Sequence, residues 1–159
     1  MRYRVSLALA LVLGLWGVMQ LSAEPPVITD ERARADKLFA DGNYRDALAI
    51  YRSLALDTQN TGSQLPHDIT QVDNCYRNLQ RDNEIDAYLE EVEKVHEKNW
   101  RGLKAIGQEW ISIPDYGYLI AGKFHRGNSE TGGQYVQASD RDRVRALQSH
   151  PAQLAQNFR

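Results

Sequence analysis

The residues able to do metal chemistry are few. His96-Glu97 opens the run HEKNW, and a histidine followed by a glutamate begins the helix motif of zinc proteases. That chemistry requires a second histidine four positions after the first, and Trp100 stands there. One histidine supplies one ligand where a zinc site needs three or four, so His96 reads as an ordinary helix-face residue. His67, His125 and His150 show no paired spacing. No metal site and no cofactor are expected.

Phosphate, acid–base and nucleophile chemistry fare no better. Gly127 and Gly132 stand five apart, as in a phosphate-binding loop, but the lysine and hydroxyl that should follow are Gly133 and Gln134. Glu130 inside that loop repels phosphate. Glu90, Glu91 and Glu93 could exchange protons, yet their spacing places them on a solvated helix face, with Glu90 and Lys94 as an exposed i, i+4 pair. The chain contains no Gly-x-Ser-x-Gly elbow for a serine nucleophile. Arg141, Arg143 and Arg145 alternate with Asp140 and Asp142, a mixed-charge helix rather than a nucleic-acid patch. No catalytic residue is expected.

The remaining side chains of interest suit binding. Tyr116, Tyr118, Phe124 and Tyr135 lie among glycines, where aromatics either line a recognition groove or cover the open end of a helical stack; the plug is the favoured reading. Cys75, the single cysteine, can form no intrachain disulfide and falls on an apolar stripe, where a thiol behaves as a small hydrophobe.

The elements that must position these residues begin after a leader. Arg2 and Arg4 precede the apolar run Val5–Met19, and Leu21-Ser22-Ala23 supplies a small residue before Glu24. That is the order of a secretory signal peptide, with cleavage expected after Ala23. An uncleaved inner-membrane anchor is the alternative, although a spanning helix wants about 20 apolar residues. Loss of the leader leaves 17 basic and 21 acidic residues, a net charge of −4. Nucleic-acid binding, which needs concentrated Lys and Arg, is not expected from such a chain. The expected location is periplasmic or secreted.

Residues 24–28 read as a proline-stiffened linker. Thr29 is a candidate N-cap for a first helix running to Ala40 and burying Ala35, Leu38 and Phe39. After Asp41-Gly42-Asn43, the apolar residues Tyr44, Ala47, Leu48, Tyr51, Leu54 and Ala55 give the stripe of an amphipathic helix. A polar loop spans Thr58–Pro66. Asp68 with Gln71 resembles a capping box that opens a third helix through Ile69, Val72, Cys75, Tyr76 and Leu79. Arg81-Asp82-Asn83 turns the chain into a fourth helix burying Ile85, Tyr88, Leu89, Val92 and Val95. Trp100, Leu103, Ile106 and Trp110 predict a fifth, ended before Pro114. Tyr116–Phe124 reads as a short helix weakened by two glycines, Gly127–Gly133 as a flexible loop, and Tyr135-Val136 as an extended pair. Ser139 with Asp142 makes a second capping box for a helix through Val144 and Leu147, and Pro151 permits a last short helix to Phe158.

The two hairpins repeat. Tyr44, Leu48, Tyr51 and Leu54 recur 41 positions later as Ile85, Leu89, Val92 and Val95, and Leu38 and Leu79 share the offset. A fixed offset of paired helices marks a solenoid, because each hairpin leaves an apolar face that only its neighbour covers.

Ala35, Leu38, Gly42, Tyr44, Ala47, Tyr51 and Leu54 resemble the tetratricopeptide pattern, with departures at Arg34, Ala35, Asn83 and Tyr88. The segments LFADGNYRDALAIYRSLALD, EKNWRGLKAIGQ, YGYLIAGKFHRG, GGQYV and SDRDRVRALQ resemble the helical N-terminal region of large exported bacterial alpha-2-macroglobulin-like proteins. That resemblance implies protease trapping by a bait region and a thioester. Neither carries over, since Cys75 is followed by Tyr76-Arg77-Asn78 instead of the Gly-Glu-Gln a thioester uses. The expectation is an all-α chain. Tetratricopeptide-like hairpins would occupy residues 29–112, and an irregular aromatic and glycine segment with capping helices 113–159. Its expected role is a non-catalytic scaffold for a protein or peptide partner, touching a membrane only through an uncleaved leader. The alternative is a stand-alone or truncated N-terminal module of a protease trap. Candidate partner-binding residues are Asn43, Arg45, Asn74, Arg77, Asn78, Tyr116 and Tyr118.

Overall fold

The computed structural model describes residues 26–128 and 132–149. The leader, the final helix expected after Pro151 and the middle of the Gly127–Gly133 loop lie outside the described residues. Six helices and one small sheet follow in order: α1 Pro26–Ala40, α2 Tyr44–Ala55, α3 Leu65–Asn78, α4 Ile85–Val95, α5 Trp100–Ser112, β1 Tyr116–Ile120, β2 Lys123–Arg126, β3 Gln134–Gln137 and α6 Ser139–Gln148. The fold is mostly helical but not all-α.

The apolar stripes decide the helices. α2 buries Ala47, Leu48, Tyr51, Leu54 and Ala55, and α4 buries Ile85, Tyr88, Leu89 and Val92. With Ile69, Val72, Cys75 and Tyr76 of α3 and Ile106 and Trp110 of α5 they form one continuous core. Each fully buried Leu, Ile or Val contributes about 1.5–3 kcal/mol relative to exposure. α1 packs on α2, α2 on α3, α3 and α4 on α5, and α5 on α6. At the edges of the stripes Tyr44, Val95 and Leu103 are only half-buried, and Trp100 is exposed.

Two helix starts differ from expectation. α1 begins at Pro26, three residues before Thr29, because proline's missing N–H and fixed φ suit the first helical turn. α3 begins at Leu65, with Pro66 in its first turn, so Asp68 is not a cap.

The hairpin turns also differ from each other. α1 ends with Asn43 N–H donating to Leu38 O (2.8 Å) and Gly42 N–H to Phe39 O (3.0 Å). α3 ends with the same pair of bonds, Arg81 N–H to Tyr76 O (2.9 Å) and Gln80 N–H to Arg77 O (3.0 Å). Both are Schellman motifs with a left-handed residue, Gly42 at φ +79° and Gln80 at φ +58°. Leu38 therefore corresponds to Tyr76 and not to Leu79. After the second motif a 3₁₀ turn, Asp82–Glu84, adds the residues that restore the 41-residue offset at α4.

The segment expected to be a short helix is a hairpin. β1 pairs antiparallel with β2 (Tyr118 opposite His125) and with β3 (Tyr118 opposite Tyr135), giving the order β2-β1-β3. Tyr116, Tyr118 and Ile120 alternate with Gly117 and Leu119, a period of two that a helix cannot use. Ala121 (φ +51°) and Gly122 (φ +78°) supply the two positive φ values of a tight hairpin turn. The extended pair expected at Tyr135-Val136 is part of β3.

Candidate functional site

The odd-numbered helices are linked side by side. Arg32 of α1 donates from Nε and Nη2 to the two carboxylate oxygens of Asp68 on α3, each at 2.7 Å. Asn60 adds Nδ2 to Asp68 Oδ2 (2.8 Å) and to Leu54 O (2.9 Å). Asp68 is fully buried, so the fork geometry of arginine and the added amide donor replace its water. Between α3 and α5, Thr70 Oγ1 donates to Glu109 Oε2 (2.8 Å) and Arg77 Nη2 to Ser112 O (2.9 Å).

Above the Arg32–Asp68 pair lies an open cleft of ≈ 500 Å³, walled by Thr29, Arg32, Ala33 and Asp36 of α1 and by Ser63, Gln64 and His67 at the start of α3. Two polar groups converge on Asp36 in its wall. Its Oδ1 accepts the Tyr51 hydroxyl at 2.5 Å, and His67 Nε2 lies 3.1 Å from the same oxygen. Burial of the Tyr51 ring, reinforced by its bond to Asp36, pushes the phenol well above its ordinary range, so it stays a donor. Asp36 Oδ2 accepts no hydrogen bond from the described residues. Ser63 and His67 share the cleft, and no hydrogen bond joins them among the described residues.

A second polar group is buried between α3 and α5. Asp73 and Glu109 are neighbouring carboxyls, 1 % and 5 % exposed, and Asp73 Oδ1 accepts no hydrogen bond. Burial pushes Glu109 up to about 7, with the negative Asp73 beside it adding to the rise and the Thr70 hydroxyl opposing it. Burial also raises Asp73, while Arg77 Nε, 2.8 Å from Asp73 Oδ2, pulls it back down. The pair holds one proton more readily than two solvated carboxylates would.

The sheet divides the aromatic residues. Tyr116, Tyr118 and Tyr135 share the outward face: the Tyr116 and Tyr135 rings stack at 6.3 Å, and Tyr118 meets Tyr135 edge-on at 5.8 Å. Phe124 and Arg126 share the inward face, where Arg126 lies 5.8 Å from the Trp110 ring and Arg141 4.8 Å from the Phe124 ring. Phe124 is thus a plug against α5 and α6, whereas the three tyrosines look outward.

No protein-family model matches the chain, and comparison with curated proteins and with solved structures gives no match. The reading of the site therefore rests on its own geometry.

None of the candidate partner-binding residues lines the cleft. Asn43 and Arg45 are exposed beside the first turn. On α3, Asn74 bonds Gln71, Asn78 bonds the Asn74 carbonyl and Arg77 is held by Asp73 and Ser112. Tyr116 and Tyr118 are brought together with Tyr135 on the sheet. His96 lies just past the end of α4 and not on a helix face: it is 2 % exposed and donates from Nε2 to Ala55 O at 2.8 Å. Glu90 and Glu91 do lie on an exposed face of α4, but Glu90 pairs with Arg145 rather than Lys94, Glu91 pairs with Arg52, and the half-buried Glu93 accepts from Ser149 Oγ at 2.9 Å. Asp142 is no capping residue but the buried partner of Arg126, and Ser139 Oγ instead donates to Asp115 at 2.7 Å. Among the described residues no group of three or more His, Cys, Asp or Glu could hold a metal ion, and no helix is long and apolar enough to cross a membrane.

The cleft had a signal in the sequence. Arg32, Ala35 and Phe39 stand at i, i+3 and i+7, so a charge occupies the stripe that α1 buries. Asp68 does the same on α3 ahead of Val72 and Cys75. Two opposite charges on two core stripes announce a buried pair and fix which helices meet.

Proposed function

We propose that this protein is a non-catalytic protein–protein interaction scaffold of tetratricopeptide-like type, exported by its leader, that engages a protein or peptide on the surface formed by α1 and α3. One observation carries the reading. The ≈ 500 Å³ cleft is open, polar and built from two helices locked by a buried ion pair, so its walls are fixed before any partner arrives. Alternation of linked helices supports it as well: α1, α3 and α5 are tied by Arg32–Asp68, Thr70–Glu109 and Arg77–Ser112, while α2 and α4 are tied separately by Arg52–Glu91. Such a two-layer stack leaves one row of helices to face a ligand. The tyrosine face of the sheet is a second exposed surface on the same scaffold, with Tyr135 57 % exposed.

The test is capture from envelope extract with the tagged chain, run in parallel with Ala33→Arg, which fills the cleft from an exposed helix position. A partner retained by the native chain and lost by the variant, at equal melting temperature, is the expected result. Identical capture by both would remove the cleft from the reading.

A further inference from the structure

We infer that the cleft between α1 and α3 is a receptor for a primary ammonium group, a lysine side chain of the protein partner, with Asp36 as its counter-ion. The inference rests on the scaffold reading of this cleft and specifies what it recognises.

The charges lining the cleft select the sign. Arg32 is engaged on both Asp68 oxygens, so that pair is neutral as a unit. Asp36 is then the charge in the wall that no arginine or lysine pairs, its one basic neighbour being His67 on Oδ1, and a cation is the complementary ligand. Around it, Thr29 and Ser63 present hydroxyls and Gln64 an amide oxygen, all able to accept. An ammonium has three N–H donors and no acceptor, which matches one carboxylate oxygen plus neighbouring neutral oxygens.

The hydrogen bonding on Asp36 selects the kind of cation. A guanidinium prefers to bind both oxygens of a carboxylate through two parallel N–H bonds. Here Oδ1 is already occupied by the Tyr51 hydroxyl and faces His67, and Oδ2 remains for the ligand. A single available oxygen suits a point charge and not a fork. Tyr51 and His67 also hold the carboxylate in place, so it loses little freedom on binding. Ala33 offers a small apolar wall along which the methylene stem of a lysine can lie. A chain N-terminus carries the same charge without that stem, which is why a lysine is the assigned source.

Three peptides test this by NMR on the ¹⁵N-labelled full chain: acetyl-Gly-Lys-Gly-amide, acetyl-Gly-Arg-Gly-amide and Gly-Gly-Gly-amide with a free amine. The lysine peptide should give saturable shifts confined to the amides around Thr29–Asp36 and Ser63–His67, and the other two should bind several-fold more weakly. Asp36→Asn keeps an oxygen for the Tyr51 hydroxyl and should weaken the lysine peptide about tenfold, the loss of one charge-assisted contact. Tyr51→Phe, which frees the carboxylate without removing it, should weaken it less. Absence of saturable shifts overturns the inference, as does unchanged binding by Asp36→Asn. Equal or tighter binding of the arginine peptide overturns the ammonium assignment, and tighter binding of the free-amine peptide overturns the lysine source. If Ala33→Arg abolishes capture of a protein while the lysine peptide fails to bind, the scaffold reading stands and the ammonium receptor falls. If the lysine peptide binds while capture by native and Ala33→Arg chains is identical, the receptor stands and the scaffold reading falls.

Discussion

Arg126 grips Asp142 with two parallel bonds, Nη1 to Oδ2 at 2.8 Å and Nη2 to Oδ1 at 2.7 Å, and so ties the sheet to α6. The guanidinium is fully buried, with Nε also 2.5 Å from Asp86 Oδ1 on α4 and Nη1 donating to the Pro114 carbonyl. Three elements therefore converge on one side chain, repeating at the C-terminal end what Arg32 and Asp68 do between α1 and α3. Breaking one partner of such a pair leaves a buried charge exposed to a low-dielectric interior. Asp142→Ala is expected to cost about 3–5 kcal/mol. Replacing Arg126 and Asp142 together by Met and Leu should cost far less, because Asp86 keeps its bond to Arg141 Nη2 at 2.7 Å and no buried charge is left alone. Chemical denaturation of the two variants checks this; equal losses would mean that the pair acts through packing alone.

Two glycines separate conformational from steric demands. Gly42 has open space around a built Cβ but sits at φ +79°, so Gly42→Ala should cost about 1 kcal/mol and Gly42→Val more. Gly117 has no such φ, but a Cβ there would lie 2.2 Å from the His125 carbonyl oxygen and 2.7 Å from the Phe124 ring. Backbone cannot yield as a side chain can, so Gly117→Ala should be the more damaging and should unpair β1 from β2. The equivalent turn offers the reverse experiment. Gln80 adopts φ +58° with a side chain, so Gln80→Gly should raise the melting temperature, the relief being about 1 kcal/mol. Thermal melts of the four variants, with the order Gln80→Gly, Gly42→Ala, Gly42→Val and Gly117→Ala from most to least stable, test the argument.

Much of the helical part was legible because burial enforces a 3.6-residue period, and Ala47, Leu48, Tyr51 and Leu54 leave no other solution. Tyr116–Phe124 differs: its two glycines weaken a helix, and the alternation Tyr116, Tyr118, Ile120 with the Ala121-Gly122 turn makes a hairpin instead. Both capping boxes failed for one reason. Asp68 and Asp142 each stand near a helix start with suitable local spacing, but each is also on its helix's buried stripe, and a distant arginine outcompetes a local N–H for a buried carboxylate. The candidate site is not legible from polar residues on exposed helix faces. Asp36 is exposed, His67 half-buried, and both are ordinary in sequence; what distinguishes Asp36 is Tyr51 underneath, an apolar-stripe residue whose hydroxyl reaches out of the core.

Cys75 bears on the same core. It is fully buried, and desolvation pushes its thiol up to about 11. The thiolate is the reactive form. Labelling by a disulfide reagent at neutral pH should therefore be slow in the folded chain and proceed no faster than the opening of α3. Rapid labelling without denaturant, at a rate independent of stability, would contradict the burial of this helix face. Cys75→Ala should cost about 1 kcal/mol, since little more than the sulfur is removed from contact.

The Asp73–Glu109 pair predicts an unusual pH dependence. Glu109 is raised in the folded state from an ordinary value of 4.5 to about 7, and Asp73 is raised as well. A carboxyl whose folded value lies above its unfolded one binds more protons folded than unfolded. Stability from this pair therefore increases as pH falls from about 7 toward 4.5, and the pair opposes folding above pH 7. Glu109→Gln removes the titration while keeping an oxygen for Thr70 Oγ1 and an N–H donor for Asp73. At pH 8 the variant should be more stable than the native chain by on the order of 2 kcal/mol, a rise of several degrees in melting temperature. At pH 5 the two should melt together. Urea unfolding at both pH values decides it: a variant less stable at pH 8 would show that the buried pair is ionised at no net cost and that Arg77 alone compensates it.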